Sequence, residues 1–366
     1  MSDLPAPVIS DVENPPKVIG RPSGAKLALP AGFSIVTFAT NFKQPRGIAV
    51  ADNGDVFIAC SDPGAVIVVR GNERFTFAGD LELPFGLALT KGFLYVGATN
   101  AVVRFPYRAG QTAAEGAPEK ITDLPGGGYR QHWTRNVAIS PDGSKLYVTV
   151  GSRTNVDVEE SPRASILEMN LDGSGKRIFA DGTRNPVGLA FHPTTHALFA
   201  AVQERDLLGD DLVPDYVTQV KDGGFYGWPY GWAGANEDPR HKGERADLVK
   251  QTITPDVMVQ AHSAVLGLAF YDGQMFPADY RGDAFVAFHG SWNRSKRTGY
   301  EIARIPFKDG RPSGGWDDFC VGWMLGENDA DVWGRPVGIA VAKDGALLVT
   351  DDGAGCVWRI TFSSAR

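Results

Sequence analysis

Histidine, arginine and asparagine stand at the openings of a phrase that recurs along this 366-residue chain. Arg46 opens the first copy, while His132, Arg135 and Asn136 precede or open the third. Arg184 and Asn185 open the fourth, His262 and Ser263 the fifth, and Arg335 the sixth. Imidazole titrates near neutrality, so His132, which follows the turn-prone Gly-rich stretch 126–131, is a candidate general base. His262 and His289 share that reading, against the alternative of a histidine satisfied within the fold. His192, His196 and His241 fall in turns or loops. Several arginines around one pocket repel each other unless an anionic ligand sits among them. Strand-end capping or pairing with nearby carboxylates is the other explanation.

A second group is acidic. Glu204, Asp206, Asp210, Asp211 and Asp215 lie close together in a turn-rich segment, and hard oxygen ligands of this kind suit Ca²⁺. The candidate ligands are Glu204, Asp206, Asp210 and Asp211. Their spacing is not that of an EF-hand, and a solvated acidic loop has the same composition. No G-x-S-x-G, H-E-x-x-H or P-loop sequence is present, which removes the simplest support for serine hydrolase, zincin and nucleotide-triphosphate chemistry.

The elements that must position these groups are hairpins. Segments 44–69, 83–105, 134–155, 183–206, 263–293 and 334–360 each run from a small or polar residue into an apolar strand, cross a turn and resume as an apolar strand. Asp52-Asn53-Gly54, Asp142-Gly143 and Asp344-Gly345 are turn residues that accept positive φ. Six hairpins with room for further strands predict an all-β, six-bladed β-propeller, in which polar residues at equivalent positions converge on the central channel. The expected organisation is an extended N-terminal arm over 1–30 and a propeller over 31–366. An elaborated loop is expected around 207–262, where Gly, Pro, Trp and charge concentrate.

Composition excludes several classes. A net charge of −7 with no Lys/Arg run argues against nucleic-acid binding, and no apolar stretch is long enough to predict a membrane span. The polar, Pro-rich first residues contain no apolar signal segment. Three cysteines without a C-x-x-C spacing give no disulfide framework.

The sequences HWTRNVAISPDGSKLYVTVGS, TRNPVGLAFHP, ERDLLGDDLVPDY with GGFYGWPYGW, FHGSWNRSKRTGYEI and GRPVGIAVAKDGALLVTDD together resemble the soluble quinoprotein glucose and sorbosone dehydrogenase family. The likeness spans about 35–362. It implies oxidation of a sugar or sugar-derived aldehyde or alcohol by hydride transfer to pyrroloquinoline quinone (PQQ), with Ca²⁺ polarising the quinone. By that resemblance His132 is the base and Arg184 assists catalysis. Arg184, Asn185, Arg294, Arg335 and His262 bind the cofactor, and the metal draws on 204–211. A separate electron acceptor such as a cytochrome or quinone and a periplasmic or secreted location are implied too. Glucose dehydrogenases of the family carry aspartates where this chain has Gln131 and Ser152, which favours the sorbosone branch. Two alternatives stand beside this reading. One is a metal-dependent lactonase of gluconolactonase type; the other is a non-enzymatic propeller that binds a glycan or protein through Trp228 and Trp232.

Overall fold

The computed structural model describes residues 4–90, 92–126 and 132–364. Among these residues the chain forms six sheets of at least four strands, antiparallel apart from one parallel pair at the edge of blade 3, arranged as a six-bladed β-propeller. Blades 1 and 2 are contiguous, running from Pro45–Val50 to Glu73–Ala78 and from Gly86–Thr90 to Glu119–Asp123. Blade 3 begins at Val137–Ile139, blade 4 at Asn185–Phe191, blade 5 at Val265–Phe270 and blade 6 at Pro336–Val341. In each blade the first two strands are an expected hairpin. Its middle strands bury both faces, as in Val56–Cys60, because neighbouring blades cover them on either side. Gly54, Gly143 and Gly345 all adopt positive φ in the turns that were expected to need it.

The innermost strands explain a detail of the repeat. Gly47, Gly188, Gly267 and Gly338 each lie where a Cβ would overlap a carbonyl oxygen of the next blade, at Phe85, Leu266, Val337 and Arg46 respectively. Gly86 lies equally close to the backbone of blade 3. In blade 3 the equivalent residue is Asn136, whose Nδ2 donates to the Val187 carbonyl at 2.8 Å. The blades therefore meet backbone to backbone around the channel, and a glycine or a bonded asparagine is what that distance admits.

Ring closure uses a strand from the other end of the chain. Phe33–Ala39 pairs antiparallel with Cys356–Phe362 and completes blade 6. Phe33 sits within 5.1 Å, ring to ring, of Phe276, Tyr280, Phe319 and Phe362, which ties this closure to blade 5. Ahead of it, the N-terminal segment crosses the loops at the channel mouth: Val8 N donates to the Leu208 carbonyl at 3.1 Å and Asn14 N to that of Trp292 at 2.7 Å.

The 207–262 region is not a single loop. Tyr216–Gln219 and Val257–Met258 are strands of blade 4, and a short hairpin and the helix Ala246–Gln251 lie between them. Trp228 and Trp232 are buried there, with Trp228 Nε1 donating to the Asn155 carbonyl at 2.8 Å. An exposed aromatic binding loop formed by these two tryptophans is thereby excluded.

Candidate functional site at the channel mouth

The phrase openings converge as the repeat requires. A cavity of about 430 Å³ is lined by Arg46 of blade 1, by His132, Trp133 and Thr134 leading into blade 3, and by Asn185 and Gln203 of blade 4. His289 of blade 5, Arg335 and Asp352 of blade 6 and Gln44 ahead of blade 1 add to the polar lining. A smaller cavity of about 130 Å³ continues from it, sharing His132, Gln203 and Trp292 and adding Arg184, Glu204, Asp206, Asp215, His262 and Asn293. Around these two cavities Gln44, His132, Arg184, His262 and Ala264 all have positive φ without being glycine. Each such conformation costs about 1–3 kcal/mol, and strain of this kind gathers where a side chain must be aimed.

His132 is anchored through one nitrogen. Its Nδ1 lies 3.1 Å from the Ser152 carbonyl oxygen and 3.0 Å from Ser152 Oγ. Ser152 Oγ donates its own proton to the Thr154 carbonyl at 2.7 Å, so both Ser152 oxygens can only accept. The proton therefore sits on Nδ1, and among the described residues the Nε2 lone pair has no hydrogen-bond partner. Burial, followed by the nearby Arg184 charge, pushes the imidazole down to about 3, so it is neutral at ordinary pH.

Arg184 holds the smaller cavity together. Its Nε donates to the Asn155 carbonyl at 3.1 Å, Nη1 to that of Glu204 at 2.5 Å, and Nη2 to Asn155 Oδ1 at 2.9 Å and Asp206 Oδ2 at 2.8 Å. Asp206 Oδ1 accepts from Asn293 Nδ2 at 2.8 Å and lies 3.4 Å from His262 Nδ1. Burial opposes its ionisation, but Arg184, His262 and Asn293 outweigh that and hold the carboxyl below its ordinary range. His262 Nε2 donates to the Gly209 carbonyl at 2.9 Å. Burial draws its imidazole down, but Asp206 and that carbonyl outweigh it, so the group is shifted upward. Two further acids behave differently. Burial raises Glu204 to about 8 and Asp215 to about 6, and Glu204 Oε1 is buried with no hydrogen-bond partner among the described residues.

The opposite wall is cationic. Arg46 is ion-paired with Asp352 and lies 5.2 Å from the Trp133 ring centre, an arrangement that adds cation–π attraction. Arg335 Nε donates to the His289 carbonyl at 3.3 Å. Among the described residues, Arg46 Nε, Thr134 Oγ1 and Asn185 Oδ1 are buried around this cavity without partners.

Of the residues expected from sequence, His132, Arg184, Asn185, Arg335, His262, Glu204 and Asp206 meet at these two cavities. Arg294, Asp210 and Asp211 do not line them. Arg294 donates to Asp211 Oδ1 at 2.9 Å and to the Asp210 carbonyl at 3.1 Å, while Asp210 also accepts from Ser295 N at 3.0 Å. These three residues satisfy one another on the rim, since Asp211 is exposed. Gln131 lies outside the described residues. Gln203, Ser152 and Asp352 follow or end the second strand of their hairpins, and reading only first-strand openings passes over Gln203 and Asp352, whereas Ser152 was named through the family resemblance. Antiparallel register brings that end beside the opening, as in Asn185 opposite Gln203.

A family model described as Glucose / Sorbosone dehydrogenase matches residues 93–291. The chain belongs to that family. A TrAA12-like model matches residues 232–363 of this glucose/sorbosone dehydrogenase family member. An uncharacterized protein of Borreliella burgdorferi is 30% identical over 349 residues, 92% of this chain and 91% of that one. A pyrroloquinoline quinone-dependent pyranose dehydrogenase of Coprinopsis cinerea is 26% identical over 292 residues, which is 63% of this chain and 39% of that longer protein. The holo PQQ domain of the C. cinerea pyranose dehydrogenase has the same fold, with a TM-score of 0.79 at 19% identity over 92% of this chain and 97% of that one.

Proposed function

We propose that this family member is a quinoprotein oxidoreductase that oxidises a sugar, or a sugar-derived aldehyde or alcohol, with PQQ in the larger cavity. The observation that carries the reading is that cavity itself: a bare imidazole nitrogen on His132, two arginines on the opposite side, and apolar Val187, Leu266 and Trp133 toward the channel. Three buried polar atoms without partners, on Arg46, Thr134 and Asn185, fit an anionic, multiply accepting ligand between these walls. Arg335 and Arg46 would balance its carboxylates, and Asn185 would meet its polar edge.

When bound, the quinone supplies the hydride acceptor. The chain's own part is the proton: His132 Nε2 takes it from the substrate hydroxyl, with Nδ1–H fixed by Ser152. Arg184 makes no direct step in this scheme. It keeps the imidazole neutral and holds Asp206 and the Glu204 carbonyl in place.

For Ca²⁺ the fitting wall is that of the smaller cavity, where Glu204 Oε1 is unpartnered beside Asp206 and Asp215. Among the described residues no group of three or more His, Cys, Asp or Glu side chains could hold a metal ion. An ion there would take its remaining ligands from water or the cofactor, and Asp210 and Asp211 would take no part. A lactonase of gluconolactonase type would hold its metal with Glu, Asn and Asp side chains from separate blades, whereas the acids of the smaller cavity, Glu204, Asp206 and Asp215, all come from blade 4. The electron acceptor, of cytochrome or quinone class, and a periplasmic or secreted location belong to the same proposal. Among the described residues no helix is long and apolar enough to cross a membrane.

The test is reconstitution of the purified chain with PQQ, with and without Ca²⁺, followed by dye reduction with aldoses and sorbosone. The expected result is saturable quinone binding and sugar-dependent dye reduction; absence of both overturns the reading. A rise in melting temperature on adding Ca²⁺ that disappears in Glu204→Gln would support the metal wall.

A further inference from the structure

The larger cavity contains a second histidine, oriented in the opposite sense to the first. His289 Nε2 donates to Asp352 Oδ1 at 2.9 Å, so its proton sits on Nε2. Among the described residues Nδ1 has no hydrogen bond, and the ring lines the cavity with 9% of the residue exposed. Asp352 is fixed from its other side by the Arg46 ion pair. One cavity thus holds two bare ring nitrogens, Nε2 of His132 and Nδ1 of His289. Their supports differ: serine oxygens behind the first, a carboxylate behind the second.

That difference matters chemically. A carboxylate behind an imidazole stabilises the imidazolium that forms on proton uptake, and a neutral hydroxyl does so far less. Asp352 is suited to this, since burial opposes its ionisation but the Arg46 charge and the hydrogen bond from His289 outweigh that and keep it a carboxylate. Burial and the Arg335 charge keep His289 neutral, at about 4, until a proton arrives.

Oxidation of a carbinol to a carbonyl removes two electrons and two hydrogens. The O–H bond breaks toward His132 Nε2, and the C–H bond breaks with its electron pair, which leaves as hydride. When that electron pair passes on to an acceptor of cytochrome or quinone class, the transferred hydrogen remains as a proton and must leave the cavity. We propose that His289, held by Asp352, is the second proton-transfer residue of the site and takes this proton at Nδ1. An N–H bond forms there and is then broken by water at the exposed edge of the ring, which restores the neutral imidazole. The inference rests on the dehydrogenase reading and adds to it a division of labour: His132 serves the sugar and His289 serves reoxidation.

Two measurements test it. In the quinone-free protein, ¹⁵N NMR of the His289 ring is expected to show the Nε2–H tautomer, with mixed tautomers in Asp352→Asn. In the reconstituted enzyme, stopped-flow separates the half-reactions. His289→Gln keeps a donor toward Asp352 and is expected to bind PQQ within about threefold of wild type and to be reduced by sugar at the wild-type rate. Its reoxidation should be slower by roughly 10²-fold, the lower end of general acid–base contributions. His289→Ala should regain reoxidation rate on addition of imidazole. Unchanged reoxidation, an equal slowing of both half-reactions, or loss of PQQ affinity in His289→Gln would each overturn the assignment. Wild-type protein that binds no PQQ would instead overturn the dehydrogenase reading on which it rests.

Discussion

At the scale of the residue, the site is decided by which nitrogen carries the proton. Ser152 fixes Nδ1–H on His132 without adding negative charge, so the imidazole is a weak, always available base. Ser152→Asp would place a carboxylate there and is expected to raise the His132 pKa from about 3 toward neutrality. The rate of cofactor reduction should then gain an acid limb at higher pH than in wild type, seen in single-turnover profiles. His132→Gln is expected to lower the same rate by about 10²- to 10⁴-fold with little change in quinone affinity. Arg184 is a different kind of residue, spent on four hydrogen bonds within the fold. Arg184→Ala takes the Arg184 charge from buried Asp206, leaving only His262 and Asn293 beside it, and is expected to cost about 3–5 kcal/mol of stability, measured by urea unfolding.

At the scale of the element, the hairpins were legible because their signals are local: an apolar run, a turn accepting positive φ, a second apolar run. The glycine early in five of the six innermost strands was visible in the phrase, but its reason was not, since the overlapping backbone belongs to the next blade. Gly188→Ala would put a Cβ 2.5 Å from the Leu266 carbonyl oxygen and 2.7 Å from Ala201 Cβ. It is expected to destabilise by about 1–3 kcal/mol, lowering the denaturant midpoint without changing the slope. The carboxylates of 204–215 illustrate the limit of local reading. Asp206 and Asp210 lie four residues apart, yet one joins the cavity and the other pairs outward with Ser295, because the chain turns between them.

At the scale of the whole molecule, the two chain ends complete one ring and one site. Asn14 accepts from the buried Arg297 through both its backbone carbonyl, at 2.9 Å, and its Oδ1, at 2.8 Å. It thereby straps the loop that carries Trp292 and Asn293 into the cavities. Asn14→Ala removes one acceptor from a buried guanidinium and is expected to cost about 1–3 kcal/mol, read as a lower melting temperature. A pH dependence is built into blade 5. Burial, with Asp318 beside it, raises Glu301 to about 8. The folded chain therefore holds this proton between about pH 4 and pH 8, a range in which the unfolded chain has released it. Its contribution is full at the acid end and is lost as pH rises through that window. Glu301→Gln should flatten the decline in melting temperature from pH 5 to 8 relative to wild type.

The amino-acid sequence by itself determined the propeller and the family, and it named residues that meet at the channel mouth, because these are written as residue types at repeated phrase openings or within one acidic cluster. The tertiary structure decided the rest. It turned Arg294, Asp210 and Asp211 toward one another, buried Trp228 and Trp232, and brought Ser152 behind His132 and Asp352 behind His289. The strand Phe33–Ala39 was also assigned to blade 6, more than 300 residues from its partner in the sequence. The physical reason is common to all of these. A repeat specifies what each blade offers to the channel, whereas hydrogen-bond partners and charge neighbours across the ring exist only once the blades close around it.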